Sequence, residues 1–214
     1  MNIVFLDVDG VLNDCSSPHM GNMDELVYFK GEAFLRRSLL VLKRIVSSMN
    51  AKVVISSSWR YDKDLMYSLL SALKHYRIDA IDVTPDYKTY ASFGTCRGDE
   101  IVGWLKSTRE QIDNFVILDD FSDMNHVRRH LIKTSTNHGL DEKHYKDFVY
   151  RFSKGEFCCK MEEYFEFSPS IIAQIEAFEV ENSVYIKNMF EHCAERVLRQ
   201  HDDFAKQVRD YGFR

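Results

Sequence analysis

Three short, continuously hydrophobic runs constrain the fold of this chain more than any other feature. They are IVFLD at residues 3–7, KVVIS at 52–56 and FVILD at 115–119. Each run is rich in β-branched residues, and continuous apolar sequence is typical of strands that are buried on both faces. We therefore predict three strands of a parallel sheet, with two weaker strands at residues 80–83 and 131–133.

Amphipathic segments alternate with these runs. Residues 32–49 place Phe34, Leu39 and Ile45 on one helical stripe, and residues 62–76 and 98–106 show the same periodicity. Strands that alternate with helices indicate βαβ units with right-handed crossovers. With 45% hydrophobic residues among 214, the chain can bury the core of one α/β domain.

The C-terminal sequence differs from the rest of the chain in its residue composition. Residues 158–167 are dense in aromatic and acidic side chains, and Ser168 and Pro169 are typical of a helix start. Residues 183–198 place Ile186, Met189, Phe190, Cys193 and Val197 on one stripe. We predict a main domain over residues 1–153 and a helical extension over 154–214. Because no glycine- or proline-rich linker separates them, we expect the extension to pack on the domain.

Composition narrows the class of protein. The five cysteines include no CxxC pair, which argues against a disulfide framework and a zinc site and favours a reduced, cytoplasmic protein. Delivery into a host cell is left open. No apolar stretch is long enough to span a bilayer, and no basic leader precedes the first predicted strand. The net charge of −5, without a Lys/Arg run, argues against strong nucleic-acid binding.

Polar side chains follow the three principal strands. Asp7 and Asp9 end the first, Ser56 ends the second, and Asp119 and Asp120 end the third. Ligands of parallel sheets bind beyond the carboxyl ends of the strands. Clustered carboxylates repel one another, and Mg²⁺ relieves that repulsion with the oxygen ligands that it prefers. The sequence therefore predicts a magnesium site at this edge.

These motifs resemble those of the haloacid dehalogenase-like (HAD) phosphatases. FLDVDGVLN at residues 5–13 is similar to their first motif, VVISSSWR at 53–60 to their second and FVILDD at 115–120 to their fourth. The resemblance covers residues 2 to about 140. It implies a Rossmann-like parallel sheet flanked by helices and an Mg²⁺-dependent phosphomonoester hydrolase. SSSWR and RGDEI further resemble the RNA-repair HAD branch, and capless phosphotyrosine-directed bacterial effectors are also similar.

The resemblance implies a role for each acidic residue. Asp7 would be the nucleophile that forms an aspartyl-phosphate, and Asp9 the general acid and then the base. Gly10 would permit the tight turn at the phosphate site. Asp119 and Asp120 would hold Mg²⁺ together with a carboxylate oxygen of Asp7 and the backbone carbonyl of Asp9. The metal would offset charge on the phosphoryl group.

Hydroxyls of the second motif would bind the phosphoryl group. We assign Ser56, with Ser57 or Ser58 as alternative contacts, and the same run could instead cap the helix that begins near Tyr61.

The third motif supplies a cation. We assign Arg97, with Lys88 as the alternative, and Arg60 as a second positive contact; arginine grips phosphate bidentately.

The substrate is predicted from segment lengths. Residues 14–51 hold a long helix and a short loop, and residues 61–96 lack room for a cap domain, so the open site suits a phosphorylated macromolecule. The acidic charge favours a phosphoprotein, in particular phosphotyrosine, over a nucleic-acid end. Tyr87, Tyr90 and Phe93 could pack on either an aryl ring or a base. A non-catalytic scaffold that docks partners through its C-terminal helices is the third hypothesis.

Overall fold

The computed structural model describes residues 1–14, 25–85, 97–164, 184–200 and 202. The strands are β1 (Asn2–Leu6), β2 (Leu26–Phe29), β3 (Glu32–Leu35), β4 (Ala51–Ile55), β5 (Ala80–Val83), β6 (Asn114–Asp119) and β7 (Leu131–Lys133). The helices are α1 (Arg36–Met49), α2 (Lys63–His75), α3 (Arg97–Ser107), α4 (Glu142–Ser153) and α5 (residues 184–200). Single 3₁₀ segments cover Ser58–Tyr61, Asn125–His130 and Met161–Tyr164.

Five strands form one parallel sheet in the order β5-β4-β1-β6-β7. Leu6 of β1 lies opposite Ile55 of β4 and Leu118 of β6. The three principal strands are therefore neighbours that end at one level, and the predicted Rossmann-like parallel sheet flanked by helices is confirmed.

Each face of the sheet has its own hydrophobic core. Val4 and Leu6 of β1 pack in the cluster that contains α1 and α2, whereas Ile3 and Phe5 pack against α3. Successive side chains of a strand point to opposite faces, so helices on both sides require the continuous apolar runs of the sequence.

Residues 32–35 are not helical, which corrects one prediction. They form β3, which pairs with β2 in an antiparallel hairpin, and α1 begins only at Arg36. The connection is the two-residue turn Lys30–Gly31, with φ of 52° and 100°, as a primed hairpin turn requires. The expected long helix with a short loop is therefore wrong for residues 14–51, which also contain this hairpin.

Helix α4 was not predicted from the sequence. Asp141 caps this helix by accepting hydrogen bonds from the backbone N–H groups of Lys143 and His144. Phe148 is its fully buried anchor. The cap residue and the spacing of Phe148 and Phe152 were the available indications.

The C-terminal region is described in part. In α5 all five residues of the predicted stripe are buried in the core on the α1 and α2 side: Ile186, Met189, Phe190, Cys193 and Val197. The helix predicted to start at Ser168 lies outside the described residues, and the domain boundary at residue 153 stays a prediction. Within the described ranges no helix has the length and hydropathy needed to cross a bilayer.

Candidate active site

Three buried carboxylates meet at the carboxyl ends of β1 and β6. Asp7 follows β1, Asp119 ends β6 and Asp120 follows it, and each offers an oxygen within 4.8 Å of the others. The adjacent parallel strands end in register, which is why residues 112 positions apart in sequence become neighbours. None of the three is more than 8% exposed.

The electrostatics of this acidic cluster are unfavourable without a cation. Burial raises the pKa of Asp7, and the nearby Arg97 guanidinium only partly opposes the effect. Burial and the negative charge of Asp7 raise the pKa of Asp119 to about 7. Within the described part of the chain, Asp119 Oδ2 and Asp120 Oδ1 are buried without a hydrogen-bond partner. Hard, unpartnered carboxylate oxygens at this spacing fit a divalent cation such as Mg²⁺.

Gly10 packs directly on the acidic cluster. Its φ is +71°, and a Cβ at this position would lie 2.5 Å from Asp120 Oδ2. The Thr134 hydroxyl donates to the Gly10 carbonyl at 2.7 Å, and the Thr136 hydroxyl donates to Asp120 Oδ2 at 2.6 Å. Glycine is therefore required here both by backbone conformation and by the close approach to Asp120.

Asp9 is held by hydrogen bonds beside the acidic cluster. Trp59 Nε1 donates to Asp9 Oδ2 at 3.0 Å, and Asn13 Nδ2 donates to Asp9 Oδ1 at 2.9 Å. Neither partner was predicted from the sequence. Asn13 lies four residues after Asp9, a spacing that could have indicated the contact, whereas the Trp59 contact depends on the pairing of β1 with β4.

The second-motif serines differ in their surroundings. Ser56 and Ser57 are fully buried, whereas Ser58 is exposed. The Ser57 hydroxyl accepts a hydrogen bond from the Trp59 backbone N–H at 3.3 Å. Burial raises the pKa of Asp7, and the Ser57 side chain is one of the groups that partly oppose this rise. Ser56 Oγ has no hydrogen-bond partner among the residues that the structure describes. Of the two, Ser56 thus has the hydroxyl with unused hydrogen-bonding capacity.

Arg97 is the cation that the structure brings to the carboxylates. It opens α3, and its Nη1 lies 3.3 Å from Asp7 Oδ1 and 3.7 Å from Asp119 Oδ2. The next residue, Gly98, allows the close packing of α3, because a Cβ there would lie 2.2 Å from the Met124 carbonyl oxygen. The alternative cation, Lys88, lies outside the described residues, as do Tyr87, Tyr90 and Phe93.

Arg60 is placed behind the site. Its side chain is 1% exposed and binds the carboxylate of Glu100, the backbone carbonyl of Ser57 and the hydroxyl of Tyr61. Its contacts in the structure are thus made with other protein groups.

One exposed aromatic residue next to the acidic cluster was not identified from sequence. Phe121 is 65% exposed, and its backbone N–H donates to Asp119 Oδ1 at 2.8 Å. Nearby, Lys133 Nζ donates to the hydroxyl of Ser122 at 2.8 Å. An aromatic surface and an ammonium group thus lie just outside the carboxylates.

Comparison with known proteins identifies a family for most of the chain. A family model described as HAD domain in Swiss Army Knife RNA repair proteins matches residues 3–145. The match spans all seven strands, the acidic cluster and Arg97, and it ends in the first turn of α4. Comparison with curated proteins and with solved structures gives no match.

Proposed function

The chain belongs to the family of HAD domains in Swiss Army Knife RNA repair proteins, and we propose that it removes a terminal phosphate from RNA. Membership identifies an enzyme, an Mg²⁺-dependent phosphohydrolase of the HAD superfamily, so the scaffold hypothesis is not carried further. The observation that carries the proposal is that the buried carboxylates of Asp7, Asp119 and Asp120, all within the matched region, lie within 4.8 Å of one another.

The proposed reaction uses Asp7 as nucleophile. A carboxylate oxygen of Asp7 attacks phosphorus, the bond from phosphorus to the leaving oxygen breaks, and Asp9 donates a proton to that oxygen. Water then attacks the aspartyl-phosphate and gives its proton to Asp9, which releases orthophosphate and restores Asp7. Arg97, 3.3 Å from Asp7, is positioned to balance the negative charge of the phosphoryl group during both steps.

The proposed metal ligands are Asp7, Asp119, Asp120 and the backbone carbonyl of Asp9. The unpartnered oxygens of Asp119 and Asp120 support this assignment, and bound Mg²⁺ would neutralise charge on the phosphoryl oxygens. Ser56 and Ser57 are the proposed hydroxyl contacts to phosphate, and Gly10 the glycine of the phosphate loop. Ser56 has the stronger support because its hydroxyl has no other partner in the described ranges.

Phe121 supports a substrate with a planar group next to the phosphate. Single-stranded RNA is commonly bound by stacking of its bases on exposed aromatic side chains, and the ammonium of Lys133 could pair with a neighbouring backbone phosphate. A phosphoprotein, phosphotyrosine in particular, is the second candidate. The net charge of −5 favours it, because binding to a nucleic-acid backbone is mainly electrostatic.

A substrate panel tests the proposal. With Mg²⁺ present, kcat/KM is measured on 3′- and 5′-phosphorylated RNA oligonucleotides, on a phosphotyrosine peptide and on a small aryl phosphate. We expect one of the RNA ends to be preferred and its kcat/KM to fall as salt increases. Preference for the peptide, without salt dependence, would favour the phosphoprotein candidate. No Mg²⁺-dependent turnover of any substrate would end the phosphatase proposal.

The role of Phe121 is tested with a matched pair of variants. Phe121→Ala should lower kcat/KM on the preferred RNA by roughly 5- to 150-fold, since stacking of one base is worth about 1–3 kcal/mol. It should change kcat/KM on glycerol phosphate, which has no ring, by less than about two-fold. Tyr28→Ala is the control, because Tyr28 is similarly exposed but lies in the β2–β3 hairpin. An equal loss on both substrates would contradict stacking.

A further inference from the structure

Arg60 is a buried cation for which the proposed reaction has no direct use. It is 1% exposed and is among the largest fully buried side chains of the described residues. Arginine is almost never fully buried unless its charge is paired, because removing a guanidinium from water costs several kcal/mol. Its partners therefore indicate what the buried charge does.

The partners of Arg60 connect two walls of the site. Nη2 lies 2.7 Å from Glu100 Oε2, and Nη1 donates to the Ser57 carbonyl oxygen at 3.1 Å. Ser57 belongs to the loop after β4, and its side chain is close enough to Asp7 to oppose the rise in the pKa of that carboxyl that burial causes. Glu100 lies in the first turn of α3, three residues after Arg97. Arg60 thus joins the serine loop to the helix that carries the phosphate-facing cation.

Glu100 is shared by two arginines. The Oε2 atom that binds Arg60 also lies 3.8 Å from Arg97 Nε, and the Glu100 side chain is 8% exposed. Because Glu100 faces Nε, the Nη1 end of the same guanidinium is directed to Asp7 and Asp119. The charged side chains therefore alternate in sign from Arg60 through Glu100 and the partly exposed Arg97 to Asp7.

This alternation has a consequence for Arg97. The Arg60 guanidinium holds the Glu100 carboxylate and the Ser57 carbonyl oxygen at the same time, and the single ammonium of a lysine cannot reproduce that fork. With the fork lost, the attraction of Glu100 for the Arg97 guanidinium would compete with that of Asp7. We propose that Arg60 is a positioning residue that acts through Glu100 to hold Arg97 at the phosphoryl site. This inference deepens the proposed function, and it requires no contact between Arg60 and substrate.

A double-mutant cycle tests the inference. Arg60→Lys, Arg97→Lys and the double variant are compared with the wild type by kcat/KM on a small aryl phosphate and by the dissociation constant of orthophosphate with Mg²⁺. Misplacement of a group by about 1 Å can cost roughly 100-fold in rate, so Arg60→Lys alone should lower kcat/KM by about 10- to 100-fold. In the Arg97→Lys background the same change should cost less than about three-fold, because Arg97 is no longer present to be positioned.

The outcomes separate positioning from a purely structural role. Equal losses in both backgrounds, or no loss in either, would overturn the inference. If Arg60→Lys does not fold, Glu100→Gln replaces it in the same cycle, since it removes the shared charge and keeps an oxygen acceptor. If the wild type hydrolyses no phosphomonoester, the proposed function fails. The orthophosphate dissociation constants still decide this inference, because Arg60→Lys should weaken binding only where Arg97 is present.

Discussion

Two buried polar clusters lie at opposite ends of β6, and they differ in how their polar atoms are satisfied. At the carboxyl end, Asp119 Oδ2 and Asp120 Oδ1 have no hydrogen-bond partner within the described ranges. At the amino end, both ring nitrogens of the fully buried His130 are bonded: Nδ1 to the Phe115 carbonyl at 2.9 Å and Nε2 to the Tyr164 hydroxyl at 2.7 Å. We refer to the second group as the histidine cluster.

Burial perturbs both clusters, with different consequences. It lowers the pKa of His130 to about 4, so the ring is neutral at pH 7. The hydrogen bonds of the neutral ring are satisfied: Nδ1–H donates to the Phe115 carbonyl, and Nε2 accepts from the Tyr164 hydroxyl and from Arg129 Nε. Burial raises the pKa of Asp119 to about 7, and its unpartnered oxygen would be satisfied by a cation. A buried polar group satisfied within the protein contributes to stability, whereas two unsatisfied carboxylate oxygens in one acidic cluster fit an external cation.

The largest expected difference between the clusters is in activity. Asp7→Asn should lower kcat on any phosphomonoester by at least about 1,000-fold, because the amide cannot act as the nucleophile. The variant should be at least as stable as the wild type in metal-free buffer, since one charge leaves a crowded site. His130→Gln should keep kcat within about two-fold and lose stability instead. Rates on the aryl phosphate and thermal midpoints measure both effects. An active Asp7→Asn enzyme would end the nucleophile assignment.

The acidic cluster could be predicted from sequence because its components follow from strand patterns alone. Three apolar runs that each end in a carboxylate or hydroxyl predicted neighbouring parallel strands, and the structure brings Asp7, Asp119 and Asp120 together. The histidine cluster could not be predicted, because His130 lies in a 3₁₀ segment and meets Tyr164 only after the chain has passed through α4.

Two further features, the β2–β3 hairpin and the Arg60–Glu100 ion pair, could not be predicted from local sequence patterns. Phe34 and Leu35 fit the apolar stripe of a helix that continues into α1, so periodicity concealed the hairpin that the Lys30–Gly31 turn creates. The Arg60–Glu100 pair joins residues 40 positions apart, and their contact depends on how α3 packs beside the loop after β4. Sequence patterns predict which elements form, whereas such contacts depend on how the elements pack.

The second difference concerns response to metal. If Mg²⁺ binds the folded acidic cluster and not the unfolded chain, the ion at 100 times its dissociation constant should stabilise the wild type by about 2.7 kcal/mol. The Asp119→Asn/Asp120→Asn double variant should show no comparable shift of its thermal midpoint, and His130→Gln should respond as the wild type does. A full Mg²⁺ response in the double variant would place the ion elsewhere.

The third difference concerns pH. The pKa of His130 is about 4 in the folded protein and about 6.5 when unfolded, so acid protonates the unfolded state first. Its contribution to stability is therefore complete above pH 6.5 and is lost as pH falls towards 4, amounting to about 2 kcal/mol between pH 7 and pH 5. The free energy of unfolding in urea is measured for the wild type and for His130→Gln at pH 7 and pH 5. The difference between the two pH dependences gives the contribution of His130, because the other titratable groups are present in both proteins. Equal pH dependence of the two proteins would show that His130 is not held neutral.

The smallest expected effect dissects the histidine cluster. Tyr164→Phe removes the hydrogen bond to His130 Nε2 and the two that the hydroxyl accepts, from Arg129 Nη2 and from the Lys160 backbone N–H, while the ring packing against Phe115 is kept. The free energy of unfolding should fall by about 1–2 kcal/mol, since Arg129 Nε can still donate to the histidine. Tyr150→Phe is the matched control: its side chain is 62% exposed, so its loss should be within about 0.5 kcal/mol. Turnover should be unchanged in both variants. Tyr164 lies at the opposite end of β6 from Asp119. A loss of turnover in Tyr164→Phe would therefore mean that the two clusters are coupled through this strand.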